Sequence, residues 1–481
     1  MRLYQQLAQQ LEVLLGDGTL AVGDRLPSIR ELCAQRKVSP ATAMRAYEQL
    51  EARDLIESRA RSGYYVARPP APVTTPAGIA RTRARKTPVD VSDLVFEILD
   101  SVHDRSVVPL GSAFPAPSLF PWSKLARHLG SAARRADPWS SVASVSSGHA
   151  GLRRQIAQRY LRRGVSVSAA EIVITAGALE ALTLCLQVLT KPGDLVGIES
   201  PSFHGCLQAI EALGLRAVEI PTHPSEGVDL GALALALERN DIRACWFMSS
   251  FQNPLGATMP DEKKADLATL LAHHDVALIE DDVYAELHFG AAPRPVKAFD
   301  TEGLVLNCGS FSKCLAPGYR LGWVAAGPFA AAIQRRKITS SLATSVPIQE
   351  GIASFLQQDA YDAHLERLRT ALAAQQTAAL RSLQQHLRGA CRVSRPDGGY
   401  FLWLEFARET DSLALHAALL QKGISIAPGP IFSPRREFRN CVRINCGHPW
   451  TVDFDAAIGE LGASLSAAAS VSDRRRAAPR R

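Results

Sequence analysis

The chain opens on a helical repeat of apolar positions. Tyr4, Leu7, Leu11, Leu14 and Leu15 fall on one face, and that spacing predicts an amphipathic helix. "GDRLPS", with Gly23 and Pro27, interrupts the pattern. Ser28 is placed to cap a second short helix that runs through Gln35. Ser39 is placed to cap a third, with Pro40 in its first turn. On that third helix Ala43, Ala46, Tyr47 and Leu50 share one side, and Thr42, Arg45 and Gln49 another. "LIESRARSGYYVA" then reads as two strands around a basic, glycine-containing turn.

From about residue 106 the pattern changes. Short apolar runs alternate with helical stretches: "IVIT" from 172, "LVGI" from 195, "AVEI" from 217, "ACWFM" from 244, "VALI" from 276, "VLNC" from 305 and "GWVAA" from 322. Strands apolar on both faces, with helices between them, predict a mostly parallel seven-stranded sheet in α/β layers. After about 335 a long helical stretch (362–387) and an apolar strand (398–406) predict a smaller α+β lobe. The expected organisation is a winged helix-turn-helix over 1–68, a Pro/Ala/Arg-rich linker over 69–105, the α/β domain over 106–465, and a basic, disordered tail over 466–481.

Composition changes this picture little. The 481 residues are 47% apolar and 21% charged, as in ordinary soluble chains of two or three domains. The net charge of +7 is uneven: "RTRARK" (81–86) and "RRRAAPRR" (474–481) hold much of it. Such runs usually mark solvated segments. Nine cysteines without a CxxC predict neither a disulfide scaffold nor a metal site. No leader pattern and no membrane-length apolar run is present, so a cytoplasmic protein without a membrane partner is expected.

In the first segment, Arg30, Arg45, Arg59 and Arg61 suit phosphates or guanine edges, and Ser28, Ser39 and Thr42 suit phosphates. A small three-helix interaction domain with surface arginines fits the same pattern. "GDRLPSIREL", "VSPATAMRAYEQLEARDLIES" and "SGYYVA" resemble the GntR family of winged-helix regulators. The resemblance implies dimeric binding to double-stranded DNA, with Arg30, Thr42, Arg45 and the wing around Gly63 in contact. Pro40 stands where many members carry an arginine.

The second segment contains "CGSFSKCLAPGYRLGWV" (308–324). Here Lys313 lies among Ser310, Ser312, a Pro-Gly turn and Arg320. A desolvated lysine amine forms Schiff bases with carbonyls; a solvated loop lysine is the ordinary alternative. "VITAGALEAL" (173–182) is a strand, a glycine turn and a helix start, whose free N–H groups near Ala178 and Leu179 suit an anion. Phe203 in "ESPSFHG" suits stacking on a ring, or a place in the core. Asn253 in "FQNPLG", and Asp281 and Tyr284 in "LIEDDVYAEL", follow predicted strands. Open α/β sheets bind ligands at the carboxyl ends of their strands. Together these residue types are what a pyridine aldehyde phosphate requires.

Over roughly 106–465 the chain resembles a fold-type-I aminotransferase, most specifically in "SFSKCLAPGYRLGW". The resemblance implies pyridoxal 5'-phosphate held as an internal aldimine on Lys313. It implies Asp281 at the pyridinium nitrogen, Tyr284 and Asn253 at the phenolic oxygen, and Phe203 on the ring. Ser310, Arg320 and the backbone at Ala178 and Leu179 would take the phosphate, and Arg443 in "NCVRINCG" a substrate carboxylate. Cys314 replaces a usual Ser or Thr. The tyrosine that such enzymes often lend to the neighbouring subunit is missing from "SSVASVSSGHAG". The whole order resembles the MocR subfamily. That implies a homodimeric, pyridoxal-phosphate-dependent transcriptional regulator that senses an amine or amino acid through an external aldimine. The alternative is a working aminotransferase with an attached DNA-binding domain.

Overall fold

The structure, a computed structural model, describes residues 3–16, 20, 23–51, 55–59, 62–67, 86–100, 106–143, 145, 147–358 and 360–477. The chain divides into two compact units, Met1–Val73 and Thr74–Arg481.

The first unit holds helices Leu3–Gly16, Ile29–Arg36 and Pro40–Glu51 and an antiparallel ribbon of Ile56–Arg59 with Gly63–Val66. The apolar faces predicted from spacing meet in one core: Leu7, Leu11, Leu32, Ala43, Ala46, Tyr47, Leu50, Ile56 and Val66 are buried together. The side chains of Leu14 and Leu15 lie outside the described part. Tyr47 donates its hydroxyl to the Pro27 carbonyl (2.7 Å), so its burial leaves no polar atom unpaired. Ser28 starts the second helix through a capping box with Glu31.

All seven predicted strands of the second unit join one sheet. Its order is Arg216–His223, Leu195–Ser200, Ile242–Phe247, Ala277–Asp281, Val305–Ser310, Gly322–Ala325, Ile172–Thr175. The first five pair in parallel and the last two antiparallel. Apolar burial on both faces explains the unbroken hydrophobic runs.

The sheet is larger than the seven strands expected. Gly227–Val228 pairs with Arg216–His223, and Lys86–Pro88 adds an antiparallel edge strand. The edge strand corrects the linker assignment. Residues 86–100 are not a free linker: after the edge strand Val89 and Val91 enter the core, and the helix Ser92–Asp100 adds Val95 to it. Glu211 accepts hydrogen bonds from the Val91 and Ser92 N–H groups (3.0 and 3.2 Å). The Pro- and Ala-rich half of the segment had masked the apolar face of "VSDLVFEI". The tail assignment is corrected too, because the last helix runs Val452–Ala477. Its alanine-rich stretch favours helix despite the arginines beyond it.

The smaller lobe carries the helix Ala360–Leu387 and an antiparallel sheet ordered Arg392–Val393, Phe401–Glu405, Cys441–Asn445, Ala427–Pro428. Among the described residues no helix is long and apolar enough to cross a membrane.

Candidate functional site

The carboxyl ends of the parallel strands converge on one cavity. Its lining includes Ala178, Leu179, Phe203, Asn253, Asp281, Tyr284, Ser310, Lys313 and Arg320, nine residues singled out from the sequence. Ser312, Leu182, Met248, Val283 and Phe114 complete it.

At one end the helix Ala178–Leu189 begins on Gly177, with no side chain capping its first N–H groups. Those groups and the helix dipole favour an anion. Arg320 closes this end and donates to the Ser312 hydroxyl (3.3 Å). Gly177 has φ +94°, and a Cβ there would lie 2.5 Å from Arg320 Nη2. Only glycine gives both the turn and the close approach. Ser310 accepts from the Ser312 N–H (2.9 Å) and donates to the Leu321 carbonyl (3.2 Å).

The opposite end is buried and polar. Three carboxylates follow one another, and strand alternation separates them. Asp282 pairs with Arg163 (2.6 Å). Glu280 accepts from the Ser249 hydroxyl, the Val296 N–H and the Asn307 amide (2.5, 2.6 and 2.8 Å). Asp281 alone of the three lines the cavity, 1% exposed, with Oδ1 lacking any partner. Burial pushes its carboxyl up to about 7. Asn253 is fully buried, and its amide nitrogen is likewise unpartnered. Tyr284 packs edge-on against Tyr400 and Phe401, with ring centroids 5.7 and 5.6 Å away, and burial raises its phenol.

Lys313 lies between the two ends. Burial first, then the nearby Arg443 cation, bring its amine down to about 7, while Asp281 opposes the shift. Nζ donates to the Ala113 carbonyl (2.9 Å) and sits 3.9 Å from the centre of the Phe114 ring. An amine brought down to about 7 is partly unprotonated, and so nucleophilic, at ordinary pH. The Cys314 thiol packs away from the cavity, 3.1 Å from the Tyr361 hydroxyl.

Arg443 departs from the expected arrangement. It does not line the cavity, and it is fully enclosed. The sequence reading also missed Phe114 and the segment before it. "GSAFP" carries no periodic signal, and it meets Lys313 only because the chain returns across 200 residues.

In the first unit the candidate residues are on the surface. Arg30 and Arg45 are exposed. Thr42 and Ser39 bond to each other, and the Thr42 N–H donates to the Ser39 hydroxyl (3.2 Å). The Ser28 hydroxyl is occupied as a cap. Arg59 is tied to Glu57 (2.7 Å) and lies 4.3 Å from the centre of the Tyr65 ring. Gly63 opens the second ribbon strand at φ +105°. Arg61 lies outside the described residues.

Residues 136–453 match the aminotransferase class I and II family, and residues 3–66 match the bacterial regulatory proteins of the gntR family. The uncharacterized HTH-type transcriptional regulator YdcR of Escherichia coli is 45% identical over 96% of this chain and 98% of its own. YjiR of the same organism, of the same description, is 35% identical over 97% and 99%. Among solved structures, the α-aminoadipate aminotransferase LysN of Thermus thermophilus, complexed with N-(5'-phosphopyridoxyl)-L-leucine, superposes with a TM-score of 0.73. It is 28% identical and covers 80% of this chain and 97% of its own. The chain therefore belongs to the aminotransferase class I and II family, joined to a gntR-family domain in the two-part composition of the MocR subfamily.

Proposed function

We propose that this protein is a DNA-binding transcriptional regulator whose second unit holds pyridoxal 5'-phosphate and senses an amine or amino acid. One observation carries the reading. A single cavity gathers a lysine amine, an anion cradle, and two buried polar atoms with no partner, Asp281 Oδ1 and Asn253 Nδ2. A buried unpaired polar group costs about 1–3 kcal/mol, so a ligand that satisfies both atoms is the economical explanation.

The residues fit this cofactor. Lys313 would attach to it, Asp281 would meet its ring nitrogen, and Asn253 and Tyr284 its phenolic oxygen. Phe203 would face the ring. The N–H groups at Ala178 and Leu179, with Ser310 and Arg320, would hold the phosphate. When bound, pyridoxal phosphate supplies an aldehyde carbon that exchanges between amines. The chain contributes an amine partly unprotonated near neutral pH, a carboxyl poised to ionise beside a ring cation, and a cavity walled by Leu182, Met248 and Val283. A homodimer would present two DNA-reading heads, and a ligand that favours one arrangement of the pair would change DNA affinity by its differential binding.

The same intact set suits an aminotransferase, so the test separates the two readings. The full-length protein, loaded with pyridoxal phosphate, is titrated with a panel of amines and amino acids. Visible absorbance, duplex binding and conversion of added 2-oxo acid are followed together. The regulator reading expects a ligand that shifts absorbance and DNA affinity with little turnover. Turnover of roughly 1–1000 per second, with DNA affinity unmoved, overturns it.

A further inference from the structure

The guanidinium of Arg443 already has a ligand, and that ligand is the chain itself. Nη2 donates to the carbonyls of Gly111 (2.6 Å) and Ser112 (3.1 Å), and Nη1 donates to Asn253 Oδ1 (3.1 Å). The rings of Phe401 and Phe432 enclose it, with centroids 4.2 and 5.4 Å from the guanidinium carbon. A carboxylate grips a guanidinium through two parallel N–H bonds. These come either from Nε and Nη2 or from Nη1 and Nη2. Both forks need a hydrogen of Nη2, and both of those hydrogens are engaged by carbonyls. Nε is buried without a partner, so half of one fork stands unused.

The same short segment is tied down along its length. The Asn445 amide donates to the carbonyls of Ser112 (3.1 Å) and Phe114 (2.6 Å). The Tyr400 hydroxyl and Lys313 Nζ both donate to the Ala113 carbonyl (3.1 and 2.9 Å). Phe114 lies against the lysine amine. One strap thus covers both the reactive amine and the arginine.

We propose that Gly111–Phe114 is an internal occupant of the carboxylate position at Arg443, which an amino acid must displace and a simple amine need not. This rests on the sensing reading above and refines it: the ligand's carboxylate is the group that moves the strap. Just before the strap, Val108–Pro109 pairs with Ile424–Ser425. Further upstream, Val89, Val91 and Val95 are buried in the core, so the strap lies between anchored segments of the second unit.

The test uses the full-length protein loaded with pyridoxal phosphate and two probes that differ only by a carboxylate, L-2-aminobutyrate and n-propylamine. Visible absorbance reports entry of each probe, and hydrogen–deuterium exchange reports the strap. Both probes should change the absorbance, and only the amino acid should speed exchange at 111–114, by tenfold or more. Asn445→Ala removes two anchors and should raise the affinity for aminobutyrate relative to propylamine roughly tenfold. The milder Tyr400→Phe should shift that ratio the same way by a smaller factor. Equal exchange with the two probes, or an unchanged ratio in both variants, overturns the proposal. If neither probe alters the absorbance, the sensing reading itself falls and the strap proposal falls with it.

Discussion

The head and the cavity differ in how their candidate polar side chains are partnered. In the head several already have local partners: Ser28 caps a helix, Ser39 and Thr42 bond each other, and Glu57 with Tyr65 holds Arg59, although Gln49 Oε1 is buried without one. In the cavity Asp281 and Asn253 keep buried atoms with no partner. Water serves an exposed group almost as well as a ligand does. A buried group has no such substitute. Orphaned atoms therefore point to a ligand in the cavity, whereas the head has to be read from exposed charge and shape.

The contrast is tested most severely at Lys313. In Lys313→Ala the yellow, borohydride-reducible attachment of pyridoxal phosphate should vanish completely, as read by visible absorbance of the reconstituted protein. An adduct that survives would place the attachment elsewhere. Gly177→Ala comes next. The added Cβ would lie 2.5 Å from Arg320 Nη2 and force that side chain out of the cradle. Charge-assisted hydrogen bonds contribute about 1.5–3 kcal/mol, so affinity for the cofactor should fall roughly 10- to 100-fold. Equilibrium dialysis with unchanged affinity would remove the phosphate from this end.

The buried pair also leaves a mark on stability in the cofactor-free protein. Lys313 titrates near about 7 when folded and at 10.5 ordinarily. The folded state then holds fewer protons than the unfolded one between those values, so stability rises with pH across that window. Asp281 titrates near about 7 against 3.8. There the folded state holds more protons, and stability falls as pH climbs from 3.8 to 7. In urea midpoints, wild type minus Lys313→Met should rise with pH from about 7 to 10.5, and wild type minus Asp281→Asn should fall from 3.8 to about 7. Flat differences in both pairs would contradict the shifts.

The smallest effects belong to the head. Arg45→Ala should weaken duplex binding roughly tenfold and lower the salt slope by about 1. Arg59→Ala should do less, because its guanidinium is shared with Glu57 and Tyr65. A salt series of affinities compares the two, and equal losses would mean that those local partners release Arg59 on binding.

Most of this architecture is legible in the residues because it rests on local periods. Seven apolar runs became seven strands, and nine of the proposed cavity residues line one space. Glycine turns and helix starts are local properties too, so Gly177, Ala178 and the motif around Lys313 announce themselves. The misreadings share one cause. Average composition hid the amphipathic "VSDLVFEI" inside a Pro-rich stretch, and it hid helix formation behind terminal arginines.

Spacing and residue type were enough to specify the two-unit plan, the sheet and most of the residues that line the cavity around Lys313. Packing alone decided that Arg443 is closed by the carbonyls of Gly111 and Ser112 and that Phe114 lies on the lysine amine. Those groups meet across 332, 331 and 199 positions of chain. A hydrogen bond to a main-chain carbonyl requires no particular side chain at the acceptor, so nothing in the order of residues records it.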